Sequence, residues 1–285
     1  MWLKIAATLV LALAVCTTAA VIYGSLRWRA GTRDLRARLE SARVRIQART
    51  FDVSELAGLP APVQRYFRLA IRAGQPIVAA VSMEHTGTFA LGETAERWKP
   101  FTSTQRVVTS RPGFDWDARI SILPGLPVRV HDAYVAGEGL LHAAILGLIT
   151  VADLSGKPEV AEGELLRFFA EAAWYPTALL PSQGVHWEAV DDTSARATLR
   201  DSNVSVTLLF RFDHAGLIGS VRAEARGRVV DGVAVPTPWE GRLWGYELRD
   251  GMRVPLQGEV AWHLPEGPMP YWRGRITSLR YEFAD

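Results

Sequence analysis

The chain has 285 residues, 48% of them hydrophobic and 22% charged, which is typical of a folded globular protein and excludes a disordered or fibrous one. Its formal net charge of +2 is unevenly distributed. Residues 1–50 hold nine Lys and Arg against two Asp and Glu, which leaves the remainder with 23 basic and 28 acidic residues. A mildly acidic domain without a basic stripe argues against nucleic-acid binding. The only cysteine, Cys16, excludes an intrachain disulfide.

The N-terminal segment has the composition of a membrane span. Residues 5–23 carry no charge, and 19 helical residues span about 28 Å, close to the ~30 Å hydrocarbon core of a bilayer. We therefore predict a transmembrane anchor over residues 1–24. A cleaved signal sequence is the main alternative, since Lys4 precedes the apolar run and small residues follow it. A lipoprotein signal ending at Cys16 fits less well, because bulky Val15 precedes the cysteine.

An arginine-rich segment follows the apolar one. Leu35, Leu39, Ala42 and Ile46 recur at helical spacing, which predicts a basic amphipathic helix over residues 25–50. It would either lie against anionic lipid headgroups or form a solvated stalk that packs weakly on the domain. Because the arginines follow the apolar span, the positive-inside rule favours a single-pass protein with a cytoplasmic domain. A secretory signal would place the domain on the opposite side, so the side of the membrane stays open.

Residues 59–74 predict a short helix. Pro62 suits a first turn, and an apolar stripe follows at helical spacing, formed by Val63, Tyr66, Phe67 and Ala70.

Beyond this helix the hydrophobic period changes to two, which is typical of strands with one buried face. The clearest strands are 113–123, 203–212 and 254–264, and weaker ones occupy about 77–91, 104–110, 127–135, 195–200, 217–229, 239–248 and 271–283. Strands without strand–helix alternation predict an α+β fold with one large antiparallel sheet. So wide a twisted sheet curls into a half-barrel, and we assign residues 51–285 to a single domain.

One helix interrupts the strands, predicted over residues 164–175. Its apolar side is expected to pack against the concave face of the sheet. Glu164, Arg167 and Glu171 line up on its other side, three and four residues apart. We interpret them as solvated ion pairs; the alternative is a charge-tuned acid–base pair inside a cavity.

Spacing gives little support for metal or cofactor chemistry. Asp115 and Asp117 share a strand face, and His131 and Asp132 lie on a neighbouring strand, but adjacent strand residues point to opposite faces. HxxxH, HExxH and CxxC spacings are all absent from the sequence, so neither a metal site nor a cofactor is expected.

Tryptophan is the strongest compositional signal: eight lie beyond residue 51, several beside proline. Large amphipathic rings can line an apolar cavity or form a rigid core. The predicted ligand-binding residues are Phe114, Trp116, Trp174, Tyr175 and Trp262, with His85 as the polar contact. His85 shares its face with apolar residues and is either a base in the pocket or a satisfied core histidine.

Several motifs resemble an uncharacterised bacterial family of single-anchor membrane proteins: "LPAPVQRYFR" at 59–68, "PGFDWDARI" at 112–120, "GELLRFFAEAAWYPTALLP" at 163–181, "TPWEG" at 237–241 and "EGPMPYWRG" at 266–274. The resemblance implies residence in the bacterial cell membrane and a half-barrel like that of LolA-type lipoprotein carriers, with helices against the concave face. It implies no activity, since fold does not transmit function.

Together these features predict a membrane-anchored, non-enzymatic domain that binds a hydrophobic ligand, a lipid or an acyl chain, in its half-barrel. One alternative is a membrane-bound hydrolase or isomerase that uses Glu171 with His85, which requires the two side chains to come within hydrogen-bond reach, directly or through one water. The other is a structural interaction module of the envelope, with a filled cavity, an exposed apolar patch and protein partners that the sequence does not identify.

Overall fold

A computed structural model describes residues 1–90, 98–230 and 233–284. Within them the helices are α1 Trp2–Ser41, α2 Ala61–Ala70 and α3 Pro158–Ala170. Short 3₁₀ helices lie at Val53–Leu56, Glu171–Trp174, Pro176–Leu179 and Pro181–Gln183. The strands are β1 Val78–Ala90, β2 Trp98–Val108, β3 Gly113–Leu123, β4 Leu126–Val135, β5 Glu138–Ile145, β6 Ile149–Asp153, β7 His186–Asp191, β8 Ser194–Asp201, β9 Val204–Phe212, β10 Ile218–Val230, β11 Val233–Arg249, β12 Met252–Leu264 and β13 Gly267–Phe283.

These strands form one open antiparallel sheet of 13 strands in the order β6-β5-β4-β3-β2-β1-β13-β12-β11-β10-β9-β8-β7. Strands β1–β6 and β7–β13 are each a meander, because every strand pairs with its neighbour in sequence. The pairing of β1 with β13, where Met83 lies opposite Leu279, joins the two meanders. The predicted antiparallel sheet is confirmed.

The sheet curves around α3. This helix contacts β3, β4 and β5 on one side and β9 and β10 on the other. The Tyr134 hydroxyl on β4 donates a hydrogen bond of 2.9 Å to the carboxylate of Asp201 at the end of β8. Because β4 and β8 stand far apart in the sheet order, this contact requires strong curvature. The predicted half-barrel with a helix on its concave face is therefore confirmed.

Helix α2 forms where the proline and the apolar stripe predict it. Pro62 occupies its first turn, and Val63, Tyr66, Phe67 and Ala70 are all buried in the core. The helix stops at Ala70 because Ile71 adopts an extended conformation.

Helix α1 is longer than predicted and serves two purposes. Residues 1–20 are exposed and project from the domain, whereas Gly24, Trp28, Leu35 and Leu39 are buried against the outer face of the sheet. The basic helix predicted over residues 25–50 is thus the second half of one continuous helix, and it ends at Ser41.

Polar contacts fix α1 to the sheet. Trp28 Nε1 donates to Asp117 at 2.9 Å, and the Trp28 ring stacks on His131 with ring centroids 4.3 Å apart. Arg36 Nε donates to Asp115 at 2.9 Å, and His131 Nδ1 lies 3.1 Å from the same carboxylate. The sequence predicts one buried face for β3, but Asp115 on its other face is also fully buried because α1 covers it.

Candidate ligand-binding cavity

A cavity of about 720 Å³ lies between α3 and the concave face of the sheet. Its wall is built from α3, the 3₁₀ helix Glu171–Trp174, and parts of β1, β3–β6 and β10–β13. The volume is within the roughly 300–1,000 Å³ of small-molecule sites. The space under the helix is therefore open, whereas the interaction-module alternative requires it to be filled.

Glycines in the middle of three paired strands leave room in the sheet beside the cavity. Gly258 on β12 pairs with Gly274 on β13, which pairs with Gly87 on β1. A Cβ atom on Gly274 would lie 2.3 Å from the ring of Trp272, so this ring can lie over the strand only because the residue is glycine. Mid-strand glycine often marks such a close approach, and this signal was available in the sequence.

Aromatic side chains form much of the remaining wall. The Trp262 and Tyr271 rings stack with centroids 5.7 Å apart, and Trp239 Nε1 donates to the Tyr271 hydroxyl at 2.8 Å. These three residues and Trp272 all line the cavity. Stacking and hydrogen bonding hold the rings in place, so the cavity does not depend on side chains that would collapse into it.

The six predicted ligand-binding residues divide into two groups. Trp116, Trp174 and Trp262 line the cavity. Phe114, Tyr175 and His85 are buried in the core around it and do not belong to its lining. Tyr175, for example, donates its hydroxyl proton to the Phe168 carbonyl at 2.7 Å. Ligand contact by the first group stays a prediction.

His85 is held as a neutral core residue. Its Nδ1 lies 3.2 Å from the Ser103 hydroxyl, and its ring packs near those of Trp174 and Trp272. Burial, aided by the positive charge of Arg167, lowers the pKa of His85 to about 3. An imidazole with this pKa is uncharged at neutral pH.

Glu171 is engaged by other partners. Its Oε1 accepts a hydrogen bond of 2.8 Å from Arg167 Nε, and its Oε2 accepts one of 2.6 Å from Gln105 Nε2. Among the described residues no hydrogen bond joins Glu171 to His85. The direct contact that the hydrolase alternative requires is therefore missing from this part of the chain.

The charged side of α3 faces the cavity. This corrects the interpretation of Glu164, Arg167 and Glu171 as solvated ion pairs. The side chains of Glu164, Arg167 and Glu171 are only 6%, 14% and 14% exposed. Arg167 binds both Asp132 and Glu171, and its guanidinium lies 4.8 Å from the centre of the Trp116 ring. Asp132 points inward, while its neighbour His131 faces α1 outside, as alternation along a strand requires.

Glu164 is a carboxyl group of this cluster whose ionisation is disfavoured by burial. Its neighbours in the cavity lining include the carboxyl groups of Asp132 and Glu171 and the guanidinium groups of Arg167 and Arg226. Burial, reinforced by the negative charge of Asp132, raises the pKa of Glu164 well above its usual range. The neutral form of Glu164 is therefore favoured relative to that of an exposed glutamate.

Arg226 has longer polar contacts than Arg167, the other arginine of this cluster. Its Nη2 lies 3.6 Å from Glu164, and its Nη1 donates to the Tyr271 hydroxyl at 3.4 Å. Its guanidinium stands over the rings of Trp239 and Trp262, 5.1 and 5.9 Å from their centres. Both polar contacts are long for a guanidinium group, which has five N–H donors in all. Sequence reasoning did not identify this residue.

These features define a class of protein: a curved open-sheet domain whose apolar cavity ends on buried charges. The chain belongs to the family of unknown function DUF6920, whose model matches residues 57–281. The predicted family resemblance is thus confirmed.

Two solved structures are similar to the chain. One is a LolA superfamily protein from Nitrosomonas europaea, with 11% identity, a TM-score of 0.41, and coverage of 79% of this chain and 94% of that one. The other is a beta-barrel-like protein of the domain of unknown function DUF1849 from Brucella abortus, with 12% identity, a TM-score of 0.21, and coverage of 72% and 99%. No curated protein matches the chain.

Proposed function

We propose that this domain binds an anionic amphiphile, with the acyl chain in the cavity and the acidic head at Arg226, on a protein anchored in the membrane by α1. The observation that carries the proposal is an open apolar cavity that ends on Arg226, whose polar contacts within the described part of the chain are long, 3.6 Å to Glu164 and 3.4 Å to Tyr271.

The apolar part of the ligand supplies most of the binding energy. Each methylene moved from water into the cavity contributes about 0.8 kcal/mol, so ten contribute roughly 8 kcal/mol. The lost freedom of the ligand offsets part of this gain. A preformed cavity keeps that cost low, because the aromatic wall is already fixed by its own contacts.

The polar part sets the ligand class. Because burial disfavours the ionised form of Glu164, and its Oε1 lies 3.6 Å from Arg226 Nη2, Glu164 is a weak counter-charge for Arg226. A ligand carboxylate or phosphate would supply that charge and would accept charge-assisted hydrogen bonds in a partly desolvated site. A neutral head of the same size would gain much less.

The properties of helix α1 support the proposed anchoring in the membrane. The most apolar 18-residue window of α1 has a mean hydropathy of 2.5, which by length and composition fits a membrane span or a signal sequence. The same continuous helix is bound to the sheet through Trp28 and Arg36, which favours retention of its apolar half. The positive-inside rule continues to favour a cytoplasmic domain.

The test compares a long-chain fatty acid with the fatty alcohol of the same length. Each carries a photoreactive diazirine and is titrated against the full chain in amphipol. We expect the acid to cross-link to cavity-lining peptides at lower concentration than the alcohol. Arg226→Gln should weaken binding of the acid about 10- to 100-fold, since a charge-assisted hydrogen bond contributes about 1.5–3 kcal/mol. Binding of the alcohol should stay unchanged.

Arg242→Gln is the matched control, because Arg242 lies at the cavity rim with 57% of its side chain exposed. Absence of cross-linking by either ligand would refute the cavity proposal. An equal effect of Arg226→Gln on both ligands would refute the position of the head.

A further inference from the structure

Exposed apolar side chains cluster at one end of the sheet. Leu123 at the β3–β4 turn is 61% exposed, and Ile149 and Val151, just after the β5–β6 turn, are 64% and 53% exposed. Large apolar side chains exposed to water at hairpin tips are unfavourable, because burying them would lower the free energy. Their position relative to α1 indicates what covers them.

Helix α1 leaves the domain at this same end. Gly24 packs against the β5–β6 turn so closely that a Cβ atom there would lie 2.5 Å from the Leu146 carbonyl oxygen. Farther along, Leu39 contacts Gly113, at the opposite end of β3. The helix therefore runs along the sheet from the β5–β6 turn, and its apolar half continues outward past that turn. A bilayer that holds residues 5–23 begins beside these hairpin tips.

Three arginines surround the point of exit. Arg119 and Arg129 lie directly opposite each other on β3 and β4, an arrangement that costs free energy when both are charged. Arg29 on α1 adds a third positive charge that acts on Arg129. Arg129 Nη2 donates to Ser25 at 3.3 Å, but its buried Nε has no hydrogen-bond partner among the described residues.

The nearby carboxylate does not neutralise this group by itself. Asp117 already accepts hydrogen bonds from Trp28 and from Thr32, at 2.9 and 2.8 Å. Among the described residues, the charges that act on Arg129 are one carboxylate, that of Asp117, and two further guanidinium groups, and this local excess of positive charge attracts the phosphates of an anionic membrane surface.

We propose that this end of the domain is a membrane-contact face, in which Leu123, Ile149 and Val151 enter the bilayer interface and Arg29, Arg119 and Arg129 bind lipid phosphates. The inference rests on the proposed anchoring by α1. At a membrane interface, arginines lie at the lipid headgroups and apolar side chains lie deeper in the bilayer. The arginines and the apolar hairpin tips of this face follow that arrangement.

The face gives the cavity a source of ligand. Val151 belongs both to the membrane-contact face and to the cavity lining, and β6 is an edge strand of the sheet. The cavity rim at β6 therefore lies at the lipid surface. An amphiphile enters from the bilayer without crossing water.

The test uses the full chain in liposomes and starts from Cys16→Ser, which removes the only native cysteine. Leu123→Cys and Ile149→Cys are then labelled with an environment-sensitive fluorophore. Leu248→Cys is the matched control, because Leu248 is 68% exposed and apolar. It lies at the opposite end, where Asp250 contacts Gln75.

In vesicles with anionic lipid we expect blue-shifted emission and at least twofold quenching by nitroxide-bearing lipids at positions 123 and 149, and neither effect at 248. Zwitterionic vesicles should give a smaller effect at 123 and 149. Equal quenching at all three positions would overturn the membrane-contact face, and equal effects in both kinds of vesicle would overturn the role of the arginines.

Flotation of the same vesicles separates the two proposals. A chain that fails to float overturns the anchor and the face together. A chain that floats while positions 123 and 149 report water overturns the face alone and leaves ligand binding in the cavity unaffected.

Discussion

Filling the cavity from α3 should weaken ligand binding strongly without harming the fold. Gly163 is a buried helical residue that lines the cavity. A Cβ atom there would lie 3.5 Å from Arg226 Nε, an ordinary van der Waals contact. Gly163→Leu therefore places an apolar side chain at the Arg226 end of the cavity, beside the guanidinium.

The magnitude follows from two terms. Replacing a glycine inside a helix stabilises it by about 0.5–1 kcal/mol, because the unfolded chain loses freedom. The leucine side chain takes the space of about three ligand methylenes, which removes about 2.4 kcal/mol of transfer free energy. Binding of a long-chain fatty acid should therefore weaken roughly fiftyfold.

The assay pairs thermal unfolding of the full chain with the photo-cross-linking titration. Gly163→Ala is the control, since it brings the helix gain but fills little of the cavity, and it should bind within about threefold of the wild type. Wild-type binding by Gly163→Leu would refute the position of the ligand. A large loss of stability would show that the space is not open as described.

Two further predictions concern stability. Burial lowers the pKa of His85 from 6.5 to about 3, so as pH falls below 6.5 the unfolded chain takes up a proton that the folded chain does not. Stability should fall by about 2 kcal/mol near pH 5, and His85→Gln should flatten this decline, as measured by urea unfolding. Asp115→Ala should cost roughly 2–3 kcal/mol, because it removes the buried acceptor that binds α1 through Arg36. Glu138→Ala removes an exposed ion pair and should lower the free energy of unfolding by at most about 1 kcal/mol. Equal losses in Asp115→Ala and Glu138→Ala would contradict the docking of α1.

Much of the sheet could be predicted because most strands alternate apolar and polar side chains, even β3, whose polar face is covered by α1. The pattern fails in β5, while β6 has only five residues, four of them exposed. Strand β5 contacts α3 on one side, while His142 stacks with Trp28 of α1 on the other. A strand covered on both faces shows no alternation to detect.

The candidate site was harder to predict than the fold. Charges on α3 at a spacing of three and four look the same whether they face solvent or a cavity, so the burial of Glu164 follows only from tertiary packing. Arg226 lies in the run "VRAEARGRVV", which resembles a solvated strand. A register shift between Ala223 and Arg226 changes the strand's alternation at this point, and a local sequence pattern does not reveal such a shift.

Native mass spectrometry of the intact chain released from nanodiscs tests the central claim most directly. The account predicts one acidic acyl-chain amphiphile bound per chain, with occupancy lost in Arg226→Gln and in Gly163→Leu. A wild-type chain that remains unliganded, even after incubation with a long-chain fatty acid, would contradict it.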